Sequence, residues 1–230
     1  MIEHIDIAGL HCVYIGNKSS RRIAYILYPM DISPEWIVDA AAKYGISIAV
    51  LTGMNWDDDL TPWGAPGEPK GSPDFKGNAD EFLKRLTTDV LPRVEELIGY
   101  TEQPERSLIG VSLSGLFTLW QWARCELFDN IATLSGSFWY EGFARWIESQ
   151  SFAGKTGRCF MLLGDAEPRS KNPLFATVGN RTAEIAGYLR RQGVNITYEI
   201  VKGNHYQYPA ERLAMAMADL FSPKSEPTAR

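Results

Sequence analysis

Gly110-Val111-Ser112-Leu113-Ser114-Gly115 is the segment whose residue types and spacing best suit covalent chemistry. A short apolar run, 108–111, leads into it. After it, Leu116, Leu119, Trp120 and Ala123 recur at helical spacing, so strand turns to helix within about two residues. A serine at so sharp a turn stands above the sheet edge, where its hydroxyl can attack a carbonyl carbon. The positions two before and two after it are brought close together and must both be small. Gly110 and Ser114 meet that demand, Ser114 standing where the G-x-S-x-G pattern has its second glycine. Taking Ser114 as the nucleophile instead would put Leu116 where no bulky side chain fits.

A serine nucleophile needs a general base and a group to orient that base. Where this turn carries the nucleophile, the order along the chain is serine, acid, histidine. Of the three histidines, His4 and His11 precede Ser112 on predicted N-terminal strands and read as structural; only His205 follows it. His205 lies in Gly203-Asn204-His205-Tyr206, just past the last predicted strand, at the edge where a catalytic loop belongs. The acid is expected after the strand ending at Leu163, in Gly164-Asp165-Ala166-Glu167-Pro168. Glu167 is the first choice, three residues beyond the glycine and longer by a methylene. Asp165 is the alternative, its short side chain better suited to capping nearby backbone N–H groups. Acyl transfer also needs two N–H groups aimed at the developing oxyanion. Leu113 offers one, and the loop after the strand at 22–28 should offer the other, with Met30 as its candidate.

The elements that must position these residues alternate strand with helix, the pattern of a mainly parallel sheet covered on both faces. Runs at 2–7 and 11–15 suit an antiparallel edge. Further strands are expected at 22–28, 46–52, 108–111, 130–134, 159–163 and 194–201, which makes about eight. Ser33-Pro34-Glu35 reads as a helix start and Gly45 as its stop. Other helices are expected at 78–98, after Ser112 and at 181–192, and 209–221 closes the fold. The stretch 53–77 is too rich in Gly, Pro and Asp for regular structure, and Asp57-Asp58-Asp59 within it reads as a solvated turn.

At 230 residues the chain suits one domain, expected to span 1–221, with 222–230 as a polar tail. The net charge of -5 gives no basic footprint for nucleic acid or an anionic membrane surface. No apolar run approaches the ~20 residues that span a bilayer, and the N-terminus lacks the basic and apolar start of a secretory signal. Cys12, Cys125 and Cys159 suit neither a disulfide framework nor a zinc site, so a reducing cytoplasm is the expected compartment. No histidine pair has metal-ligand spacing, and no cofactor or metal is expected.

The elbow Gly-Val-Ser-Leu-Ser-Gly-Leu, Ser135-Gly136-Ser137-Phe138-Trp139, Asp59-Leu60-Thr61-Pro62-Trp63 and Gly203-Asn204-His205 together resemble the putative esterase family of α/β-hydrolases. That family includes S-formylglutathione hydrolase (esterase D) and the enterochelin esterases. The resemblance runs from about residue 22 to 221. It implies the α/β-hydrolase fold and ester hydrolysis through a serine acyl-enzyme, with Ser112 as nucleophile and His205 as base. Trp63, Trp139, Tyr140 and Tyr206 fall in loops expected near the site and are the candidate substrate contacts. Aromatic faces suit carbohydrate or phenolic esters, and the resemblance adds siderophore-like esters. Two other classes stay open: an acyltransferase using the same acyl-enzyme, and a binding protein on a hydrolase scaffold with a silent Ser112.

Overall fold

The two N-terminal strands, β1 (Ile2–Ile7) and β2 (Leu10–Ile15), are joined by Ala8 and Gly9, both at positive φ, and pair antiparallel. That backbone twist is what a two-residue hairpin requires. The computed structural model describes residues 1–223; of the expected tail, 224–230 lies outside the described residues.

The later strands are β3 (Arg22–Leu27), β4 (Ser47–Thr52), β5 (Glu105–Val111), β6 (Asn130–Leu134), β7 (Arg158–Gly164) and β8 (Asn195–Val201). Helical segments separate them, and such crossovers favour parallel neighbours. The result is one eight-stranded sheet in the order β1-β2-β4-β3-β5-β6-β7-β8, antiparallel only where β2 meets β1 and β4. Every residue of β4 is buried, as befits a strand covered on both faces.

Helix α1 (Pro34–Tyr44) begins where Ser33 Oγ accepts the Trp36 N–H at 3.3 Å, and it ends at left-handed Gly45. The remaining helices are α2 (Trp56–Asp59), α3 (Ala79–Arg85), α4 (Leu91–Ile98), α5 (Leu113–Arg124), α6 (Phe143–Glu148), α7 (Val178–Arg191) and α8 (Pro209–Phe221). Ile37 of α1 and Leu213 and Met217 of α8 pack with Ala24, Ile26 and Ile48 on one face of the sheet. Phe82, Val94, Leu116 and Ile185, from α3, α4, α5 and α7, pack with Tyr25, Leu27 and Leu108 on the other.

Local expectations are corrected in four places. The helix expected at 78–98 is interrupted by a π turn at Leu86–Val90, just before Pro92, which has no N–H to continue an α ladder. The stretch 53–77 carries α2 and an Ala65–Phe75 bridge, and α6 lies where no helix was expected. Asp58 is buried rather than solvated. Its carboxylate accepts the Lys76 N–H at 3.1 Å, Lys76 Nζ at 2.9 Å and Asn55 Nδ2 at 2.9 Å. A polar loop closing over the sheet needs such partners for the backbone it shields from water.

Candidate active site

Ser112 lies between the end of β5 and the start of α5, at φ 56° and ψ −122°. A non-glycine residue held there is strained, and the surrounding contacts over-determine the turn. A Cβ on Gly110 would come within 2.2 Å of the Ser114 carbonyl oxygen and 2.4 Å of Thr118 Oγ1, so only glycine fits. Ser114 is fully buried. Its hydroxyl accepts the Val111 N–H at 2.7 Å and lies 2.8 Å from the carbonyl oxygens of Leu27 and Val111. A satisfied serine thus occupies the place of the second glycine and ties the elbow to the end of β3.

The turn between β8 and α8 carries His205. Gly203 adopts φ 118°, its N–H donates to Asp165 Oδ1 at 2.9 Å, and its carbonyl accepts the Ala166 N–H at 3.0 Å. His205 Nε2 lies 3.1 Å from Ser112 Oγ, and Nδ1 lies 2.8 Å from Glu167 Oε2. Asp165 therefore caps backbone, while Glu167 faces the imidazole. The other carboxylate oxygen, Glu167 Oε1, accepts Ser135 Oγ at 2.6 Å, the Gly164 N–H at 2.7 Å and Arg212 Nη1 at 3.2 Å. Burial alone would push this carboxyl up, but the hydrogen bonds from His205, Ser135 and Gly164, with the attraction of His205, hold it below the usual carboxylate range.

Leu113 opens α5, where the first N–H groups of a helix have no intrahelical acceptor and the macrodipole favours negative charge. Met30, in the turn after β3, is 64% exposed and does not line the cavity beside Ser112. That cavity measures about 410 Å³. Trp139, Phe175, Val178 and Tyr206 give it an apolar wall, and Ser137, Arg169 and Asn204 contribute polar groups. Trp139 packs on Phe175 with ring centroids 4.6 Å apart, and the exposed Tyr206 stands perpendicular to His205 with ring centroids 5.1 Å apart.

Trp63 and Tyr140 do not reach the cavity. The Tyr140 hydroxyl donates to the Trp63 carbonyl, and Trp63 Nε1 donates to the Glu141 carbonyl at 3.0 Å, so the pair fastens the 53–77 loop to the body. Burial pushes the Tyr140 phenol up to about 12, so it remains a donor. His4 and His11 lie on β1 and β2, at the opposite edge of the sheet from β7 and β8, where His11 pairs with Asp6 at 2.8 Å.

Sequence reasoning gave no role to Ser137, whose Oγ lies 3.3 Å from Ser112 Oγ, nor to Phe175, Ser135 or Arg212. Arg212 was detectable: it shares a helical face with the apolar positions Leu213, Ala216, Met217 and Leu220, where an arginine needs a buried partner.

A model of the putative esterase family matches residues 28–220. Uncharacterized protein YbbA of Bacillus subtilis (strain 168) is 29% identical over 226 residues, covering 94% of this chain and 87% of that protein. Among solved structures, an IroE-like serine hydrolase from Shewanella oneidensis superposes with TM-score 0.79 at 15% identity, covering 96% of this chain and 80% of that one. The siderophore hydrolase EstB from Aspergillus nidulans gives 0.71 at 16% identity, covering 100% and 97%. The fold is thus that of the α/β-hydrolases.

Proposed function

The chain belongs to the putative esterase family, and from that premise we propose that it is a serine hydrolase cleaving a carboxylic ester through an acyl-enzyme. One observation carries the reading: Ser112 Oγ, His205 and Glu167 form an unbroken file with contacts of 3.1 and 2.8 Å.

Neutral His205 takes the Ser112 proton as Oγ attacks the ester carbonyl carbon. The carbonyl oxygen becomes an oxyanion, held by the Leu113 N–H and by a second donor from the turn after β3, where Met30 is the candidate. His205 then gives its proton to the leaving alcohol oxygen, the ester C–O bond breaks, and the acyl group remains on Ser112. Water repeats the sequence: His205 takes its proton, the hydroxyl adds to the acyl carbon, and Ser112 leaves reprotonated as the carboxylic acid departs. Glu167 holds the proton on Nδ1 and stabilises the imidazolium in both halves.

The wall of Trp139, Phe175 and Tyr206 favours an ester carrying an aryl group or a sugar ring, which stack on aromatic faces. The name of the Aspergillus hydrolase adds siderophore esters to the substrate panel. Three free cysteines suit a reducing compartment, which supports a cytoplasmic location. The test is turnover of p-nitrophenyl butyrate and a panel of aryl, sugar and siderophore esters by Ser112→Ala. Loss of turnover with an unchanged melting curve is expected; near-native turnover by the folded variant contradicts the proposal.

A further inference from the structure

One buried charge has no part in the chemistry just described. Arg212, in the first turn of α8, is 4% exposed. A guanidinium there is costly unless its donors are matched; both Nη groups are matched, while the buried Nε has no hydrogen-bond partner. Nη1 donates to Ser135 Oγ at 2.6 Å and to Glu167 Oε1 at 3.2 Å, while Nη2 donates to the Asn204 carbonyl at 2.7 Å. One rigid fork therefore touches the carboxylate, the hydroxyl that also serves that carboxylate, and the backbone beside His205.

Resting on the triad reading above, we propose that Arg212 is a positioning residue. It locks Glu167 Oε1, leaving Oε2 alone to face His205, and it tethers the histidine turn to the same anchor. Rotating the carboxylate would abandon three donors at once: Ser135 Oγ, the Gly164 N–H and Arg212 Nη1. Room for the fork exists because residue 164 has no side chain. A Cβ there would lie 2.6 Å from Arg212 Nη2 and 2.3 Å from the Gly203 carbonyl oxygen.

The charge matters as well as the geometry. Facing the Glu167 carboxylate are His205, Ser135 and Arg212, with Tyr198 of β8 close enough to feel its charge. Facing Arg212, besides Glu167, is Tyr28 at the end of β3, whose phenol burial pushes up and the guanidinium pulls back. Facing His205, besides Ser112 and Glu167, is the ring of Tyr206. Asp165 and Arg169 are half or more exposed, and Asp165 is turned to the Gly203 N–H. Removing the Arg212 charge takes a positive neighbour from beside Glu167 and should therefore make the carboxylate hold a proton more readily. Once protonated it no longer stabilises the imidazolium, so the acid limb of the rate profile moves to higher pH.

The experiment is kcat and KM from pH 4.5 to 9 for the full chain and for Arg212→Met, Arg212→Lys and Ser135→Ala, with thermal unfolding in parallel. Arg212→Met should lose about 100-fold in kcat, keep KM within about threefold, and shift the acid limb up by about one pH unit. Arg212→Lys should recover the acid limb, because the charge remains, but only part of kcat. Ser135→Ala strands no buried charge. It should lower kcat about tenfold with a smaller upward shift, and it carries the test with Arg212→Lys if Arg212→Met does not fold. A merely structural arginine would lower the melting temperature and leave the acid limb in place. Unmoved limbs and near-native kcat in the folded variants overturn the assignment. Fluorophosphonate labelling separates the two levels: an unlabelled wild type overturns the triad and this assignment with it, whereas a labelled wild type with unmoved limbs overturns the role of Arg212 alone.

Discussion

Glu167→Gln puts the proposed triad to a sharper test than a deletion, because the buried site dictates which way an amide must face. Three donors converge on Oε1 from Ser135, Gly164 and Arg212. Placing an amide nitrogen there would set it against two obligate donors, the Gly164 N–H and Arg212 Nη1, so the amide oxygen takes that position. The –NH₂ group must then face His205 Nδ1, which lies 2.8 Å from Oε2 in the native site. Nδ1 becomes an acceptor, the ring proton moves to Nε2, and that nitrogen can no longer take the proton of Ser112. The expected loss is up to ~10⁴ in kcat, about 5.4 kcal/mol at 1.36 kcal/mol per decade. The assay is steady-state hydrolysis of p-nitrophenyl butyrate, with circular dichroism melting to establish that the variant is folded. Asp165→Asn is the contrast. Its oxygen can still accept the Gly203 N–H, held at 2.9 Å in the native turn, so the loss should stay below about tenfold, the scale of one hydrogen bond. A larger loss in Asp165→Asn than in Glu167→Gln, both folded, refutes the reasoning. Near-normal turnover in both would leave Ser112 and His205 as a dyad.

Gly110→Ala should lower stability by about 1–3 kcal/mol or more, measured by urea titration, because its new Cβ meets backbone and Thr118 at the elbow; an unchanged midpoint contradicts the packing argument. Trp139→Ala should raise KM for an aryl ester about 3- to 10-fold relative to an acetyl ester, the scale of one aromatic contact, whereas Tyr140→Phe should change stability without changing that ratio. Glu167 is held below its ordinary value, so its stabilising contribution is complete above the unfolded carboxyl value of ~4.3 and is lost as pH falls through the lower folded value. The unfolding free energy of the wild type should therefore fall more steeply than that of Glu167→Gln between pH 5 and 3, and equal slopes would count against it.

The parts of the fold legible in the sequence are those set by short-range rules. Ser33 with Pro34, Gly45 and the alternation in the last strand set boundaries that the structure repeats within a residue or two, whereas β5 begins three residues before the expected 108. The elbow and the single histidine beyond it were legible because a strained turn and chain order leave few choices, and the structure brings Ser112, His205 and Glu167 within hydrogen-bonding distance. The aromatic residues divided for a reason that spacing cannot reveal. Trp63 and Trp139 are the same residue type in neighbouring loops, but Trp63 is spent on Tyr140, Phe143 and Trp146, whereas Trp139 turns to Phe175 and the cavity. Asp58 escaped because a charged residue reads as exposed until its partner is known, and Lys76 is distant in sequence; the apolar face around Arg212 marked it as buried, but its partners Ser135 and Glu167 are too distant in sequence to be read from it. The π turn before Pro92 is a local effect that helical spacing alone does not encode.

The central claim is that Ser112 is the nucleophile, and its most direct test is mass spectrometry of the protein after reaction with a fluorophosphonate. The expected result is one adduct on the peptide containing Ser112, absent in Ser112→Ala and formed far more slowly in His205→Ala. No adduct on the folded wild type, or an adduct that persists in Ser112→Ala, would contradict the account.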